Sequence, residues 1–242
     1  AFSPDGKTLA YVAMARPGYE ADRYRVTLMD WASRSIRNLT ERWDRSPGSV
    51  TWSPDGKALY ASAGNIGNTS IFRIDPSDGM VSAMVTRHTN SSPNPLPDGR
   101  LLFARDSLVS PVELFVLPVG GGEPLQITHL NDDRLAGIAF GEYKQFSFTG
   151  ANYDEVFGYL IEPVNRDPRK KYPLAVLIHG GPQGSVDDHW HYRWNPEIYA
   201  AHGYATVFID FHGSTGYGQD FTDAINGDWG GAPYEDLMKG LD

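Results

Sequence analysis

Cysteine is absent from all 242 residues of this sequence. Its absence excludes disulfide bonds, a thiolate nucleophile and cysteine-ligated zinc, and it leaves the redox compartment open. Long hydrophobic runs are absent as well. The longest near-continuous apolar stretch is 174–178, whereas a membrane-spanning helix needs roughly 20 apolar residues. We therefore predict no membrane span.

Positive charge is also scarce. The sequence has 21 lysines and arginines against 30 aspartates and glutamates, which gives a formal net charge of -9. An acidic surface repels a phosphate backbone, so we do not expect a nucleic-acid partner. The hydrophobic fraction of 40% and the aromatic fraction of 12% are sufficient for a sizeable core. A chain of this length forms one large domain or two smaller ones.

N-glycosylation sequons begin at three asparagines, Asn38, Asn68 and Asn90. Sequons accept glycans when they lie on surface loops of secreted proteins, so these three favour a secreted glycoprotein. The sequence starts at Ala1 within a strand pattern, and it shows no basic and apolar leader. We expect any targeting segment to lie upstream of Ala1.

The first half of the sequence contains a repeated turn. Pro-Asp-Gly recurs at 4–6, 54–56 and 97–99, and each copy is followed by apolar residues in a strand-like pattern. Proline fixes one turn dihedral and Asp-Gly supplies the tight reversal, so each copy predicts a β-hairpin.

A second motif accompanies the turns, namely short apolar strands at 26–30, 71–75 and 114–118. Two motifs that repeat together at about 43 to 50 residues match the period of a propeller blade. We predict that residues 1–141 form the C-terminal blades of a β-propeller, roughly three of them, and that further blades precede them. The alternative is a β-sandwich in which the Ser-Pro-Asp-Gly turns are coincidental.

The repeat stops at Gly141, where the pattern of the sequence changes. Apolar strands at 146–148 and 156–161 flank a polar turn and predict an antiparallel pair. The five apolar residues 174–178 predict a strand that is buried on both faces, and 204–210 predict a second one.

The residues between these two strands predict a short helix, because Asn195 can cap its first turn and Gly203 suits a left-handed conformation at its C-terminal end. Strand, helix and strand form a βαβ unit with a right-handed crossover. We therefore predict that residues 142–242 are the N-terminal portion of an α/β domain with a mostly parallel sheet. A final helix starts at Pro233.

His-Gly-Gly-Pro at 179–182 follows the first buried strand, at the edge where α/β folds gather their sites. Adjacent glycines let the backbone approach a bound carbonyl, and a free N–H there can donate to the oxyanion of a tetrahedral intermediate. A loop of this type at this place is typical of the oxyanion site in α/β-hydrolases. Residues 142–242 are therefore interpreted as the opening part of a hydrolase catalytic domain.

The nucleophile motif of such hydrolases, G-x-S-x-G, is absent. The nearest match is Gly-Ser-Thr-Gly at 213–216, which has His212 where the motif needs glycine. In this fold the serine, the acid and the histidine follow one another in that order. We therefore expect all three beyond Asp242, and we expect the chain alone to be inactive.

Several motifs occur together in this sequence. They are the repeated Pro-Asp-Gly turns, His-Gly-Gly-Pro at 179–182, Gly-Ser-Thr-Gly-Tyr-Gly at 213–218 and Asp-Trp-Gly-Gly at 228–231. In this combination the sequence resembles the prolyl oligopeptidase family. Within that family it is most similar to the fungal dipeptidyl-peptidase V branch, at 180–185 and 216–223. His212 departs from the arginine that many members carry there.

The resemblance implies a serine peptidase that releases dipeptides through an acyl-enzyme, without a metal or cofactor. The implied partners are peptide substrates with free N-termini, and fungal members are typically secreted. The resemblance also implies that the propeller restricts access and that Gly181 offers one oxyanion N–H. The alternatives are an acylaminoacyl-peptidase or carboxylesterase on the same architecture, or a propeller binding protein with a degenerate hydrolase domain.

Other residues with reactive side chains have simpler interpretations. Two imidazoles and two carboxylates lie within 187–191 and could suggest a metal site, but the surrounding aromatic residues favour packing or lining of the substrate entrance. His179 is expected to shape its loop, Trp229 to pack near the active-site floor, and Asp210 to orient a neighbouring loop.

Overall fold

The computed structural model describes residues 1–242 and arranges fifteen strands in three sheets. The strands are β1 (Thr8–Ala13), β2 (Arg25–Asp30), β3 (Ile36–Asn38), β4 (Pro47–Trp52), β5 (Leu59–Gly64), β6 (Thr69–Ile74), β7 (Val81–Val85), β8 (Thr89–Pro95), β9 (Leu101–Ser107), β10 (Ser110–Leu117), β11 (Leu125–Gln126), β12 (Tyr143–Thr149), β13 (Glu155–Ile161), β14 (Leu174–Leu177) and β15 (Ala205–Asp210). The helices are α1 (Asp132–Leu135), α2 (Glu197–Ala201), α3 (Gln219–Asp223) and α4 (Ala232–Leu241), with a 3₁₀ turn at Ala151–Tyr153. None of these helices is long and apolar enough to span a membrane.

Antiparallel meanders fill the first half of the chain. The first sheet is β1-β2-β3. The second sheet has eight strands, in which β4 to β7 and β8 to β11 each form a four-stranded antiparallel meander. The two meanders meet where Thr69 of β6 pairs in parallel with Thr89 of β8. The first half is therefore a series of similar antiparallel units.

The repeated turns have the same hydrogen bonds in each of the first two copies. Ser53 Oγ donates to Asp55 (2.6 Å) and accepts from the Ala58 N–H (2.9 Å). In the first copy, Ser3 Oγ donates to Asp5 (2.7 Å) and accepts from the Thr8 N–H (2.9 Å). Each turn also needs a glycine, because the φ of its glycine is positive in all three copies and is 70° at Gly56, a region that other residues rarely adopt. The predicted hairpins are confirmed.

Apolar side chains from successive units pack against one another. One buried cluster contains Val26 of the first sheet and Leu59 and Ile74 of the second sheet. A second cluster takes Ile71 from one meander and Phe103 from the next. No unit buries its faces alone, which is the packing expected of repeated sheets.

The third sheet has the strand order β12-β13-β15-β14. Only β14 and β15 are parallel, while β12 with β13 and β13 with β15 are antiparallel. The prediction of a mostly parallel sheet is therefore wrong for these four strands. The reason is that the turn at 150–154 reverses the chain between β12 and β13, so that only the crossover through α2 gives a parallel pair.

The two strands predicted to be buried differ in their surroundings. β15 is central and is buried from Thr206 to Asp210. β14 is the edge strand, and Leu174 and the following Ile178 are 46% and 61% exposed. The apolar run at 174–178 predicts the strand correctly, and within this chain β14 is partly buried at the edge of the sheet.

The crossover helix α2 begins and ends as its sequence predicts. The Asn195 side chain accepts a hydrogen bond from the Glu197 N–H (2.9 Å), which satisfies one free donor of the first turn. Gly203 has a φ of 85° and ends the helix in the left-handed region. The helix brings the chain back so that β15 lies beside β14.

Candidate active-site loop and the cavity beside it

The loop after β14 presents an unpaired backbone donor. Gly181 has a φ of 138°, and its N–H makes no hydrogen bond within the chain. A Cβ at this position would lie 2.8 Å from the backbone nitrogen of Gln183, so only glycine fits without a shift of the loop. The exposed N–H can therefore serve an acceptor that comes from outside the chain.

His179 holds the beginning of this loop. Its Nε2 lies 2.9 Å from Ser214 Oγ, and its ring stacks on Phe211 with a centroid separation of 4.4 Å. Both partners belong to the segment that follows β15. These contacts give His179 the loop-shaping role that the sequence predicts.

Ser214, His179 and Asp210 form a group with the composition of a catalytic triad, but their geometry differs from one. In a triad the serine and the acid bind opposite nitrogens of the imidazole. Here Asp210 Oδ1 is 3.7 Å from Nε2, the same nitrogen that contacts Ser214. Ser214 is also fully buried, so its hydroxyl cannot reach a substrate carbonyl. The group is a structural support for the loop.

A cavity of about 380 Å³ lies beside Gly181. Gly181 and Gln183 line one side of it, and residues 20–24 and 44–46 from the first half of the chain line the other. Its lining is mainly polar and charged. The candidate site therefore lies between the repeated sheets and the third sheet.

The loop between β1 and β2 is fixed to the second half of the chain by charge. Arg16 binds Asp22 (2.7 Å) and Asp223 (2.8 Å), and Tyr19 donates to Asp223 (2.7 Å). Burial acts to raise the pKa of Asp22, but hydrogen bonds from Arg16 and Ala15 outweigh it and lower the pKa to about 2. Asp22 is thus a carboxylate at neutral pH, and it anchors the cavity wall.

Asp188 is a buried junction between the two halves. Its carboxylate accepts from the Leu108 N–H (2.8 Å), lies 2.7 Å from His88 Nδ1 and accepts from the Tyr143 hydroxyl (3.2 Å). Its own N–H donates to Gly67 (2.9 Å). Burial raises the pKa of the Tyr143 phenol, which therefore remains a donor at neutral pH.

Asp187, His189 and Trp190 also contact the first half, whereas His191 accepts from the N–H groups of Arg193 and Trp194. Asp187 accepts from Thr69 Oγ1 (2.9 Å), and His189 Nδ1 lies 2.6 Å from Asp106. The imidazoles and carboxylates of the segment thus point to separate partners, as the packing interpretation predicts. Trp190 contacts Phe140, with ring centroids 6.1 Å apart.

We predict that the His189 pair makes the stability of the chain depend on pH. The hydrogen bond to Asp106 raises the pKa of His189 above 6.5. A raised histidine pKa stabilises the fold below the ordinary pKa, and this stabilisation is lost as pH rises through the folded-state value. Between about pH 6 and about pH 8, the Tm of the unmodified chain should fall more than the Tm of a His189→Gln variant. Parallel Tm profiles in calorimetry would contradict the assignment.

The chain is similar to known proteins in both sequence and structure. Residues 190–242 match the sequence profile of the prolyl oligopeptidase family. The chain is 38% identical to dipeptidyl-peptidase 5 of Aspergillus fumigatus over 98% of its length, and 39% identical to a probable dipeptidyl-peptidase 5 of Emericella nidulans. The chain belongs to the prolyl oligopeptidase family. It spans 34% of the length of each of these two family members.

The fold of this family member is also found among solved structures. An acylaminoacyl peptidase in complex with Z-Gly-Gly-Phe-chloromethyl ketone superposes with a TM-score of 0.83 over 98% of the present chain and 36% of the other. The sequence identity is 21%, so this likeness shows a shared fold. It covers the repeated sheets as well as the third sheet.

The three sequons of this family member differ in their surroundings. Asn38 is exposed on β3, and Asn68 is half-buried and accepts from the His88 N–H. Asn90 is fully buried, and its amide nitrogen donates to Thr69 and to two further carbonyls. The structure contradicts Asn90 as a glycan acceptor, because a glycosylated amide could not make these bonds.

Trp229 does not pack as the sequence analysis predicts. Within this chain it is 70% exposed in the loop before α4, where Gly230 and Gly231 follow it and supply no covering side chain. Sequence reasoning also missed the cavity wall at 20–24 and the junction at Asp188. No local pattern could have revealed them, because their partners lie far away in the sequence.

His212, which departs from the expected arginine, is enclosed between two carboxylates. Nδ1 lies 2.6 Å from Asp236, and Nε2 lies 3.1 Å from Asp154. The ring stacks on Phe221 with centroids 4.4 Å apart. His212 thus links α4 to the turn between β12 and β13.

Proposed function

We propose that this chain supplies one oxyanion donor, the Gly181 N–H, to a serine-type dipeptidyl-peptidase. The observation that carries the proposal is the unpaired, exposed N–H of Gly181 in the loop after β14. The backbone there has a conformation that only glycine adopts easily, and a cavity lies beside it. Family membership supports the reaction class, and the relatives named dipeptidyl-peptidase 5 support the substrate class.

In the proposed reaction a serine hydroxyl attacks the peptide carbonyl, and the negative charge moves to its oxygen. Gly181 donates its N–H to that oxygen and stabilises the tetrahedral intermediate, while the histidine takes the serine proton. The intermediate then collapses to an acyl-enzyme as the C–N bond breaks, and the histidine gives that proton to the amine. The leaving amine carries away the remainder of the peptide, and water releases the N-terminal dipeptide. The nucleophile, the acid and the histidine are proposed to lie outside 1–242, so the chain alone is inactive.

The repeated sheets are proposed to be the last blades of a β-propeller, spanning 1–141, with the opening part of the catalytic domain at 142–242. The four-stranded meanders and the core clusters that join successive units support this assignment. In this arrangement the blades restrict access to the cavity, because residues 20–24 form one of its walls.

The direct test uses the full-length gene product that contains this chain. It should release chromophore from dipeptidyl substrates with a free N-terminus, and a serine-directed inhibitor should abolish the release. Preference for N-acylated aminoacyl substrates would instead favour an acylaminoacyl-peptidase, and preference for simple esters would favour a carboxylesterase. Absence of any inhibitor-sensitive hydrolysis would favour a non-catalytic binding protein and contradict the proposal.

We also propose that the protein is secreted and that Asn38 carries its glycan within this chain. Asn38 is exposed, whereas the Asn90 side chain is enclosed. Expression in a eukaryotic secretory host should give glycan occupancy at Asn38 that an Asn38→Gln substitution removes, as read by peptide mass mapping. A glycan found on Asn90 of the folded protein would contradict this assignment.

A further inference from the structure

The far end of the loop that contains Gly181 is attached to a buried carboxyl group. Asp210 is the last residue of β15 and is 3% exposed. It accepts from the Val186 N–H (3.0 Å), contacts Ser185 Oγ (2.6 Å) and accepts from the Tyr217 hydroxyl (2.7 Å). Two consecutive loop residues are therefore bound to one side chain.

The rest of the loop is bound to the residues that follow Asp210. His179 contacts Ser214, and the Thr215 N–H donates to the Gly184 carbonyl (2.8 Å). Gly181 lies between these attachment points and has no hydrogen bond of its own through its N–H. The orientation of that N–H is consequently set by the attachments on either side.

Ser185 joins two carboxyl groups. Its hydroxyl oxygen lies 2.6 Å from both Asp187 and Asp210. A hydroxyl has one proton and can donate to only one of them, so the other contact is a hydrogen bond only if that carboxyl is protonated. Asp210 is the carboxyl that is enclosed, at 3% exposure, and burial raises its pKa.

We propose that Asp210 is a positioning residue for the oxyanion donor, and that it acts through Ser185 and Val186 to hold Gly181 with its N–H free. This inference rests on the proposed function of Gly181. Asp210 contacts no reacting atom. Its effect is on the orientation of the Gly181 N–H. In Asp210→Asn the amide oxygen can still accept from the Val186 N–H, while the Ser185 and Tyr217 hydroxyls can turn to accept from the amide nitrogen.

Amide hydrogen exchange on the full-length gene product tests the attachment without relying on enzyme activity. Ser185→Ala removes the contacts to Asp187 and Asp210, and Asp210→Ala removes those to Val186, Ser185 and Tyr217. Each substitution should therefore speed exchange at least about tenfold in peptides covering 179–186. Ser185→Thr and Asp210→Asn should retain slow exchange. Ser147→Ala is the matched control, since it removes a serine bond to a carboxylate (2.8 Å) on the exposed face of β12. Exchange in the Ser185→Ala loop equal to that control, or raised equally in β13 and β15, would overturn the proposal.

Kinetics of the full-length gene product test the consequence for catalysis. Ser185→Ala should lower kcat about tenfold and change KM by less than about twofold, because the donor acts mainly on the transition state. Ser185→Thr should restore kcat. Faster loop exchange together with an unchanged kcat would overturn the positioning role. If the unmodified protein hydrolyses nothing, the proposed function fails, and the exchange result still decides whether Asp210 holds the loop.

Discussion

Replacing Asp188 with alanine is expected to lower the free energy of unfolding of this chain by about 3–5 kcal/mol. The substitution leaves the buried Leu108 N–H without an acceptor and removes the partner of His88 and of the Tyr143 hydroxyl. An unsatisfied buried donor alone costs about 1–3 kcal/mol. Urea unfolding followed by tryptophan fluorescence measures the change.

The control for Asp188 is an aspartate whose bonds lie at the surface. Asp132 is 60% exposed and pairs only with His129 of its own segment. Asp132→Ala should change the free energy of unfolding by less than about 0.5 kcal/mol. Equal losses in the two variants would show that the junction at Asp188 does not join the two halves energetically.

The second large effect concerns the oxyanion donor. In the full-length gene product, Gly181→Ala should lower kcat by about 10²–10³-fold, the usual loss when one oxyanion donor is removed. The added methyl would lie 2.8 Å from the Gln183 nitrogen, and alanine disfavours a φ of 138°. The loop must therefore shift, and the N–H moves with it. Steady-state kinetics on a dipeptidyl substrate measures this loss.

Gly180→Ala is the matched control for this substitution. A Cβ at Gly180 would meet no heavy atom within 4 Å, and its φ is not in the left-handed region. Its kcat should therefore remain near that of the unmodified protein. If both alanine variants lost activity equally, the effect would belong to the loop as a whole and would not identify Gly181 as the donor.

Local chemistry in the sequence predicts the elements well. The Ser-Pro-Asp-Gly turns determine their hairpins because Ser53 and Asp55 bind backbone groups within five residues. Asn195 and Gly203 likewise determine the ends of α2 through contacts within the helix and its flanks. The free donor at Gly181 follows from the glycine pair and its place after a strand. Each of these features depends on neighbours in the sequence.

Features that depend on distant partners could not be predicted in this way. Asn90 has the sequon of a surface loop, but its amide is enclosed by carbonyls of another strand and of its own turn. The sequence indicates Asp188 only as part of a polar segment, because its acceptor role depends on Leu108, 80 positions away. The antiparallel pair β12-β13 and the parallel pair β14-β15 agree with the prediction, whereas the antiparallel pairing of β13 with β15 does not follow from it, since a hydrophobic run specifies burial and does not specify the neighbouring strand.

We propose that the Gly181 oxyanion donor lies within this chain and that the catalytic serine, acid and histidine lie outside 1–242. A covalent serine-directed probe tests this division most directly. The full-length gene product and the present chain would each be treated with a fluorophosphonate, digested and mapped by mass spectrometry. We expect one labelled serine in the full-length protein, outside 1–242, and no label on the present chain, where Ser214 is fully buried. Label on Ser214 or another serine within 1–242, or none on the full-length protein, would contradict the account.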